Sequence, residues 1–240
     1  MPRFFVDSLS DDDIILRGEE AAHLSRSLRM REGDAVTLCD GDGLDAEAVI
    51  RHIADREVTL HILSRAPSLT EPRLAVALFQ ALPKFDKLET IIQKATEIGV
   101  HEIRPFLSRY CVSRPKDFDK KLGRLRKISA EAAKQSGRGR VPEVQPLLDF
   151  ADLCCIMSNY DAAILCYEGA TTPLAEALVG IHGWSRIALI IGSEGGFSAE
   201  EAASLQATGA LSCSLGPRIL RCETAPVAAL SAILFAAGEF

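Results

Sequence analysis

Two glycine-rich segments near the carboxyl end hold the residues best suited to chemistry. The segment 192–196 (GSEGG) follows the apolar run 187–191, and the segment 216–218 (GPR) follows the apolar run 211–215. A short run rich in leucine and β-branched residues that ends at glycine is typical of a buried parallel strand leading into a loop. In open α/β sheets, ligands bind beyond the carboxyl ends of such strands. Together the two loops predict a binding site.

The composition of these loops restricts the class of ligand. Gly192, Gly195 and Gly196 lack the spacing of the dinucleotide-binding G-x-G-x-x-G motif, and the chain contains no G-x-x-x-x-G-K-[ST] phosphate loop. A glycine loop that has no lysine and carries Glu194 is poorly suited to a triphosphate. It suits a ligand bound through backbone N–H and C=O groups, such as an adenine or a small zwitterion. The alternative is that both segments are ordinary turns of an α/β domain, although their pairing favours a site.

The two loops and their flanks resemble the signature of the SPOUT methyltransferases. The motifs are IGSEGGFSAEE (191–201) and SLGPRILRCETAPVAAL (214–230). With KFDKLETIIQKATEIGVHEIRPF (84–106), EAAKQSGRGRVPEV (131–144) and PRFFV (2–6), the chain is similar, more narrowly, to the bacterial 16S ribosomal RNA uridine-N3 methyltransferases. The resemblance covers essentially the whole chain. Two positions depart from the family pattern, since Ser193 stands where proline is usual and Cys222 where threonine is common.

The resemblance implies a fold and a cofactor. The family has an α/β SPOUT domain with a parallel sheet and a carboxyl-terminal trefoil knot, preceded by a small PUA-like β-barrel, and the loops of the knot bind S-adenosyl-L-methionine. Carried over, the cofactor-binding residues are Leu165, Cys166, Tyr167, Ile191, Gly192, Glu194, Gly195, Gly196, Leu215, Gly216, Ile219, Leu220, Arg221, Thr224 and Ala225. Backbone groups of Leu215, Ile219 and Leu220 are expected to bond the adenine. Glu194 is expected to meet the positive end of the ligand or, alternatively, to cap the following helix.

The implied reaction transfers the sulfonium methyl group to N3 of a uridine. The N3–H is a weak acid flanked by two carbonyls, so an enzyme has to remove this proton and stabilise the imide anion in line with the methyl group. Arg221 is the expected stabilising cation, because a guanidinium can donate two hydrogen bonds to a carbonyl oxygen or a phosphate. Glu223 is the expected base or the orienting partner of Arg221; the alternative is a carboxylate that stabilises a helix N-terminus.

The distribution of charge indicates a nucleic-acid partner that the net charge of −6 alone disfavours. Residues 104–140 hold twelve Lys or Arg and three acids, a local balance of +9, so the remainder carries −15. A basic segment of this kind is typical of a phosphate-binding surface, although a solvated helix face has the same composition. The RNA-binding candidates are Arg3, His23, Arg26, Arg29, Arg109, Arg126, Gln135, Arg138 and Arg140. The partner that the resemblance implies is 16S ribosomal RNA or the small ribosomal subunit.

The pattern along the chain predicts two domains of different type. Residues 1–68 combine short strands with a helix at 19–30, and the resemblance identifies them as the PUA-like RNA-binding β-barrel. The segment 65–73 (RAPSLTEPR) reads as a linker because of its two prolines and polar residues. Beyond it, strands and helices alternate as in a parallel sheet, with an amphipathic helix at 86–98. Residues 72–240 form the expected methyltransferase domain with its knotted cofactor site.

The composition and the last helix indicate the class of protein, its compartment and its oligomeric state. The 240 residues are 48% hydrophobic and 25% charged, as in globular proteins, and no apolar run is long enough to span a bilayer. Residues 1–13 lack the apolar core of a secretory signal. Seven cysteines without a C-x-x-C pair favour a reduced cytoplasm, with neither disulfides nor a metal site. The helix at 223–237 is apolar almost all round, which predicts burial in a homodimer.

Three other functions are open at this point. A different SPOUT activity, such as ribose methylation of transfer RNA, is disfavoured by the match of the amino-terminal domain. A non-catalytic RNA-binding or assembly protein would have no need of the two glycine loops and Arg221. A nucleotide hydrolase is disfavoured because the phosphate loop is missing.

Overall fold

The structure, a computed structural model, describes residues 1–54, 56–115 and 117–240. The chain divides into two compact units. The first consists of Met1–Glu71 together with Ala133–Val141, and the second of Pro72–Ala132 together with Pro142–Phe240. The chain therefore passes between the units three times, whereas the sequence predicts a single linker at 65–73.

The first unit is built on a five-stranded sheet. Its strands are β1 (Arg3–Phe5), β2 (Asp13–Arg17), β3 (Ala35–Cys39), β4 (Leu44–Ile53) and β5 (Glu57–Pro67), in the order β1-β3-β4-β5-β2. Strand β1 is parallel to β3, and the other neighbours are antiparallel. Alternate residues such as Leu38, Ile50 and Leu60 are fully buried, which is the period-2 pattern of a sheet with one solvated face. Register shifts between β4 and β5 mark irregularities of the kind that bend a sheet.

Two features of the first unit differ from the prediction. Strands β1 and β2 are the edges of the sheet, so in the described residues it forms a curled half-barrel rather than a barrel closed by hydrogen bonds. The predicted helix at 19–30 is instead a short helix α1 (Gly18–Ala22) followed by a π-helical turn, His23–Ser27. Wider π turns are common at functional sites. Arg29, two residues later, has a left-handed backbone with φ of 54°.

Residues 133–141 join the first unit through one buried ion pair. The guanidinium of Arg138 is 2.6 Å from the carboxylate of Glu71, and only 4% of the Arg138 side chain is exposed. The backbone N–H groups of Gly139 and Arg140 donate to the same carboxylate, at 3.0 and 3.1 Å. A buried charge requires such partners. Glu71 and Arg138 lie far apart in the chain, so the local pattern that predicted the linker at 65–73 contained no sign of their pairing.

The second unit is built on a six-stranded sheet that is parallel throughout. Its elements are β6 (Ala75–Ala81), α2 (Lys87–Ile98), β7 (Glu102–Phe106), α3 (Asp119–Ser136, whose last turn enters the first unit), β8 (Glu143–Val144), α4 (Phe150–Ile156), β9 (Ala162–Cys166), α5 (Leu174–Ala177), β10 (Arg186–Ile191), α6 (Ala199–Ala207), β11 (Leu211–Cys213) and α7 (Thr224–Ala236). The strand order is β11-β9-β10-β6-β7-β8. The α/β class with a parallel sheet is therefore confirmed.

Burial on both faces explains the continuous apolar strands of this sheet. Strands β6, β9 and β10 consist almost wholly of buried residues, as expected where helices cover both faces. Helix α2 buries Leu88, Ile91, Ile92, Ala95 and Thr96 and ends at Gly99, whose φ of 122° favours glycine. Helix α7 buries Leu230 and Ile233 but leaves Phe235 75% exposed. In the described part of the chain, no helix is both long and apolar enough to cross a membrane.

A buried carboxylate crosslinks the amino-terminal ends of three strands. Glu102 accepts hydrogen bonds from Arg186 (2.9 Å), Arg104 (2.9 Å) and the hydroxyl of Tyr160 (3.0 Å). Burial raises the pKa of Glu102, but the hydrogen bonds from Arg186, Tyr160 and Arg104 and the charge of Arg104 outweigh burial and lower that pKa overall. The stability from Glu102 is therefore present above the ordinary glutamate pKa and is lost as the pH falls through the lowered value.

We expect Glu102→Gln to lower the free energy of unfolding by about 1.5–3 kcal/mol at pH 7, because charged hydrogen bonds are lost. The difference from the unmodified protein should shrink once the pH falls below about 4.3, where unfolded glutamate is protonated. Urea unfolding across pH measures it. Glu143→Gln, which removes an exposed ion pair with Arg126, is the control and should cost about 0.5 kcal/mol or less. A Glu102→Gln deficit that does not change with pH would contradict the assignment.

Candidate functional site

The loops that follow β9, β10 and β11 meet at the carboxyl edge of the second unit's sheet. These strands are neighbours, so the loops after them lie side by side. They enclose a cavity of about 800 Å³. It is lined by Lys87, Cys166, Tyr167, Glu168, Ile191, Gly192, Ser193, Glu194, Gly195, Gly196, Ser214, Leu215, Gly216, Pro217, Arg218, Ile219, Leu220, Arg221, Cys222 and Ala225. The volume lies within the range of small-molecule sites.

Most of the predicted cofactor-binding residues line this cavity, and two do not. Leu165 is fully buried in β9, one residue before Cys166. Thr224 lies in the first turn of α7, where its N–H donates to the carbonyl of Arg221 at 2.8 Å. Ala225 donates to the same carbonyl at 2.9 Å, so the loop before α7 is tied to the helix. The structure thus brings all three predicted loops to one place.

The glycine loop after β10 has no space for side chains at two positions. A Cβ at Gly195 would lie 2.6 Å from the Cβ of Tyr110. A Cβ at Gly196, whose φ is +64°, would collide with the carboxylate of Glu168. Below the loop, the buried Gln80 amide donates to the carbonyl of Gly192 at 3.1 Å. Packing therefore holds the backbone of this loop against the cavity, where its polar groups can meet a ligand.

Ser193, which departs from the family pattern, places a hydroxyl at the cavity wall. Its residue is 7% exposed, and in the described residues its Oγ has no hydrogen-bond partner. A buried hydroxyl without a partner is costly, and a polar ligand in the cavity would supply one. The oxygen thus favours a ligand with polar groups at this wall.

Glu194 bonds to Lys87 rather than to the helix that follows the loop. Its Oε1 lies 3.0 Å from the Lys87 ammonium, and it accepts the Lys84 N–H at 3.2 Å. Helix α6 is capped instead by Ser198 and Glu201, whose side chains and backbone N–H groups bond reciprocally. Burial raises the pKa of Glu194, but Lys87 and the backbone donors lower it overall. The carboxylate is therefore ionised at neutral pH.

Arg221 and Glu223 have different environments despite their proximity in sequence. Arg221 is exposed at the cavity, and among the described residues its guanidinium has no carboxylate partner. Glu223 does not line the cavity, and its Oε2 lies 3.2 Å from the Lys87 ammonium. Burial raises the pKa of Glu223, but hydrogen bonds from its own backbone, Cys222 and Lys87 lower it overall. A carboxylate with a lowered pKa is a poor proton acceptor, which favours the orienting role for Glu223.

The cysteines at the cavity are protonated thiols. Cys166 and Cys213 are direct partners in the register of β9 and β11, and their hydrogen bond, followed by burial, raises the pKa of Cys166. Burial and the neighbouring Glu223 raise the pKa of Cys222 to about 12. Nucleophilic and metal-binding cysteines act as thiolates, so neither role fits Cys166 or Cys222, the two cysteines that line the cavity. In the described residues, no cluster of three or more His, Cys, Asp or Glu could hold a metal ion.

The candidate RNA contacts fall in both units and differ in exposure. In the first unit, His23 and Arg26 border a cavity of about 460 Å³ that Lys134, Glu19 and Glu20 also line. The exposed candidates are His23, Arg26, Arg29, Arg109, Arg126 and Gln135, whereas Arg3 and Arg140 are ion-paired to Asp45 and Asp42 with 16% and 29% of their side chains exposed. Arg138 is buried against Glu71. The interior position gives Arg138 a structural role.

Lys87 is a cavity residue that sequence reasoning missed and that lies outside the three predicted loops. It lies in the first turn of α2, where a lysine in an amphipathic helix is ordinarily a solvated residue. It lines the cavity and contacts Glu194 and Glu223 from two different loops. The signal available in the sequence was its place just beyond the carboxyl end of β6, at the same edge of the sheet as the glycine loops.

Family models and named relatives that this chain resembles all point to the same family of proteins. A family model of the RNA methyltransferase domain matches residues 70–234, and one of the RNA methyltransferase PUA domain matches residues 16–63. The chain is 34% identical to ribosomal RNA small subunit methyltransferase E of Bacillus subtilis, over 98% of this chain and 96% of that protein. The Mycobacterium bovis protein of the same name is 32% identical, over 96% and 90%.

A solved structure agrees in fold and sequence. The crystal structure of a ribosomal RNA small subunit methyltransferase E from Neisseria gonorrhoeae, bound to S-adenosyl methionine, is 30% identical with a TM-score of 0.84. The similarity covers 98% of this chain and 97% of that one. With glycine loops, cavity and two units already described, these matches are decisive: the chain belongs to the ribosomal RNA small subunit methyltransferase E family.

Proposed function

We propose that this protein transfers the methyl group of S-adenosyl-L-methionine to N3 of a uridine in 16S ribosomal RNA. The single observation that carries the proposal is the cavity at the ends of β9, β10 and β11 in a chain that matches this family over almost its whole length. S-adenosyl-methionine is bound to the Neisseria gonorrhoeae relative. The uridine-N3 position rests on the sequence resemblance given above.

The residues of the cavity fit this cofactor. Backbone groups of the loops around Gly192 and Leu215 suit an adenine, and the unpaired Ser193 hydroxyl suits a polar substituent. The cavity's lysine, Lys87, is ion-paired with the carboxylates of Glu194 and Glu223, at 3.0 and 3.2 Å. When bound, S-adenosyl-L-methionine supplies an electrophilic methyl group on a sulfonium. The proposed binding set is the predicted one, with Leu165 and Thr224 acting from behind the cavity wall.

Arg221 has the proposed role at the uridine. Its guanidinium lacks a carboxylate partner in the described chain, so it is available to hold a carbonyl oxygen of the base and to stabilise the negative charge that forms when N3 loses its proton. Glu223 is proposed to orient the loop that carries Arg221, because its own lowered pKa makes it a weak base.

The family resemblance also suggests details of the fold, the RNA partner and the oligomeric state. We propose that the loops around the cavity belong to a trefoil knot, that the residues 1–68 form a PUA-like RNA-binding domain, and that residues 72–240 form the methyltransferase domain. The small ribosomal subunit or its RNA is the proposed partner, contacted by the exposed candidates, and the chain is proposed to act as a homodimer. The exposed Phe235 on the apolar helix α7 supports the dimer.

Methyl transfer to ribosomal RNA tests the proposal directly. Small subunits and free 16S RNA from bacteria lacking this activity are incubated with the protein and S-adenosyl-L-methionine, and nucleosides from the digested RNA are identified by mass spectrometry. We expect N3-methyluridine at one position. A methyl group on a ribose or on another base would replace the uridine-N3 assignment. Cofactor binding without methyl transfer to either RNA form would favour an assembly function.

A further inference from the structure

One lysine joins two loops of the cavity. The ammonium of Lys87 lies 3.0 Å from Oε1 of Glu194 and 3.2 Å from Oε2 of Glu223. It also lies 3.8 Å from Sγ of Cys222. Glu194 belongs to the glycine loop after β10, whereas Cys222 and Glu223 end the loop after β11. A single side chain from a third element therefore touches both loops.

Lys87 lies at the start of a helix that packs in the core of the unit. It begins helix α2, whose next residue, Leu88, is 5% exposed and packs in the core. Its neighbour Lys84 donates its backbone N–H to both carboxylate oxygens of Glu194, at 3.2 and 3.3 Å. The segment from β6 to α2 thus offers two donors to the glycine loop and one to the loop before α7.

The positive charge of Lys87 keeps the two carboxylates of Glu194 and Glu223 together. Without the Lys87 ammonium, the carboxylates of Glu194 and Glu223 would face each other without a cation between them. Glu194 would keep its backbone donors, Lys84 and Glu194 itself, and Glu223 would keep the Cys222 thiol. Like charges at such a distance repel. The loop that carries Arg221 would then lose the contacts that Glu223 and Cys222 make with the first residue of α2.

We propose that Lys87 is a positioning residue of the methyltransferase site, which holds the glycine loop and the Arg221 loop together in the arrangement that binds S-adenosyl-L-methionine. The inference rests on the proposed function for its ligand, while the linkage between the two loops stands on geometry alone. Lys87 acts through Glu194 and Glu223 and needs no contact with the uridine. Loops that are ordered before binding give tighter complexes, because less ordering has to accompany association.

Amide hydrogen exchange without cofactor tests the linkage. The proteins compared are the unmodified chain, Lys87→Gln, Lys87→Arg and Lys94→Gln, the last of which removes a lysine that pairs with Glu97 on the same helix. We expect faster exchange of the backbone amides at 193–196 and 218–223 in Lys87→Gln alone. Lys87→Arg keeps the charge and two donors and should restore slow exchange. Equal exchange in Lys87→Gln and Lys94→Gln would overturn the proposal. Glu223→Gln is a second route to the same loops if Lys87→Gln does not fold.

Calorimetric titration with S-adenosyl-L-methionine tests the consequence for binding. We expect Lys87→Gln to raise the dissociation constant for S-adenosyl-L-methionine about tenfold. The dissociation constant of Lys87→Arg should stay within about threefold of that of the unmodified protein. The loss of binding free energy in the Lys87→Gln, Glu194→Gln double variant should be smaller than the sum of the losses in the two single variants, because both changes remove the same interaction. Unchanged binding in Lys87→Gln would overturn the proposed role. If the unmodified protein binds no cofactor although exchange responds as expected, the proposed function fails and the linkage stands.

Discussion

Replacing Gly196 by valine is expected to abolish measurable binding of S-adenosyl-L-methionine. Gly196 has φ of +64°, a conformation that costs residues with a side chain about 1–2 kcal/mol. Its Cβ would also collide with the Glu168 carboxylate, which lines the cavity. The loop backbone or the exposed Glu168 side chain therefore has to move at the wall of the cavity in which the ligand is proposed to bind. Together these effects should weaken binding by about a hundredfold or more, measured by calorimetric titration.

Gly123→Ala is the matched control for this change. Gly123 lies within α3, and nothing stands within 4 Å of an added Cβ. Alanine in a helix interior should raise stability by about 0.5–1 kcal/mol and leave cofactor affinity unchanged. Thermal unfolding of both variants separates loss of binding from loss of fold. Affinity in a folded Gly196→Val variant equal to that of the unmodified protein would place the cofactor elsewhere.

Replacing Arg221 by alanine is expected to lower kcat for methyl transfer by about 10²–10³-fold, the usual cost of removing a donor that stabilises a developing anion. Cofactor affinity should change much less, because the backbone of Arg221 and its bonds to Thr224 and Ala225 are retained. The measurement is steady-state methylation of 16S RNA with the cofactor saturating, alongside titration of the cofactor. A change confined to KM for RNA would indicate that Arg221 holds a phosphate instead.

Two further variants sharpen the role of Arg221. Lysine at this position keeps the charge but loses the planar pair of donors, so Arg221→Lys should recover part of the lost rate. Arg73→Ala removes an arginine that is 82% exposed and pairs with Glu239 outside the cavity, and it should leave kcat unchanged. A kcat for Arg221→Ala within threefold of the Arg73→Ala control would exclude the catalytic role.

The parts of the fold that follow from local patterns could be predicted from the sequence. The amphipathic spacing of 86–98 became helix α2, Lys87–Ile98, and the glycine after it ends the helix with φ of 122°. The apolar run before the first glycine loop became β10 with the same carboxyl end, Ile191. By contrast, no local pattern distinguished a π turn at His23–Ser27 from regular helix. That difference lies in hydrogen-bond geometry, to which hydrophobic periodicity is almost insensitive.

The candidate site was predictable in its loops and not in its long-range partners. Glycine is the residue type that readily adopts positive φ, so the motif at 192–196 already indicated a loop whose backbone groups face a ligand. Lys87 and Arg138 instead acquire their roles from Glu194, Glu223 and Glu71, which lie far away in sequence. A basic residue has the same appearance in sequence whether it meets a phosphate, solvent or a distant carboxylate. Side-chain partners of this kind appear only once the chain is folded.

The three passages of the chain between its units have a consequence for how this protein can be divided. A fragment ending near residue 71 would contain all five strands of the first sheet but not residues 133–141, so Glu71 would lose Arg138 and two backbone donors. The remaining fragment would carry residues 133–141 without the rest of the unit to which they belong, and Arg138 would lose its carboxylate partner. Recombination at a single point can therefore not exchange the amino-terminal unit intact. Because the two units interleave along the chain, a single crossover transfers either both of them or an incomplete first unit.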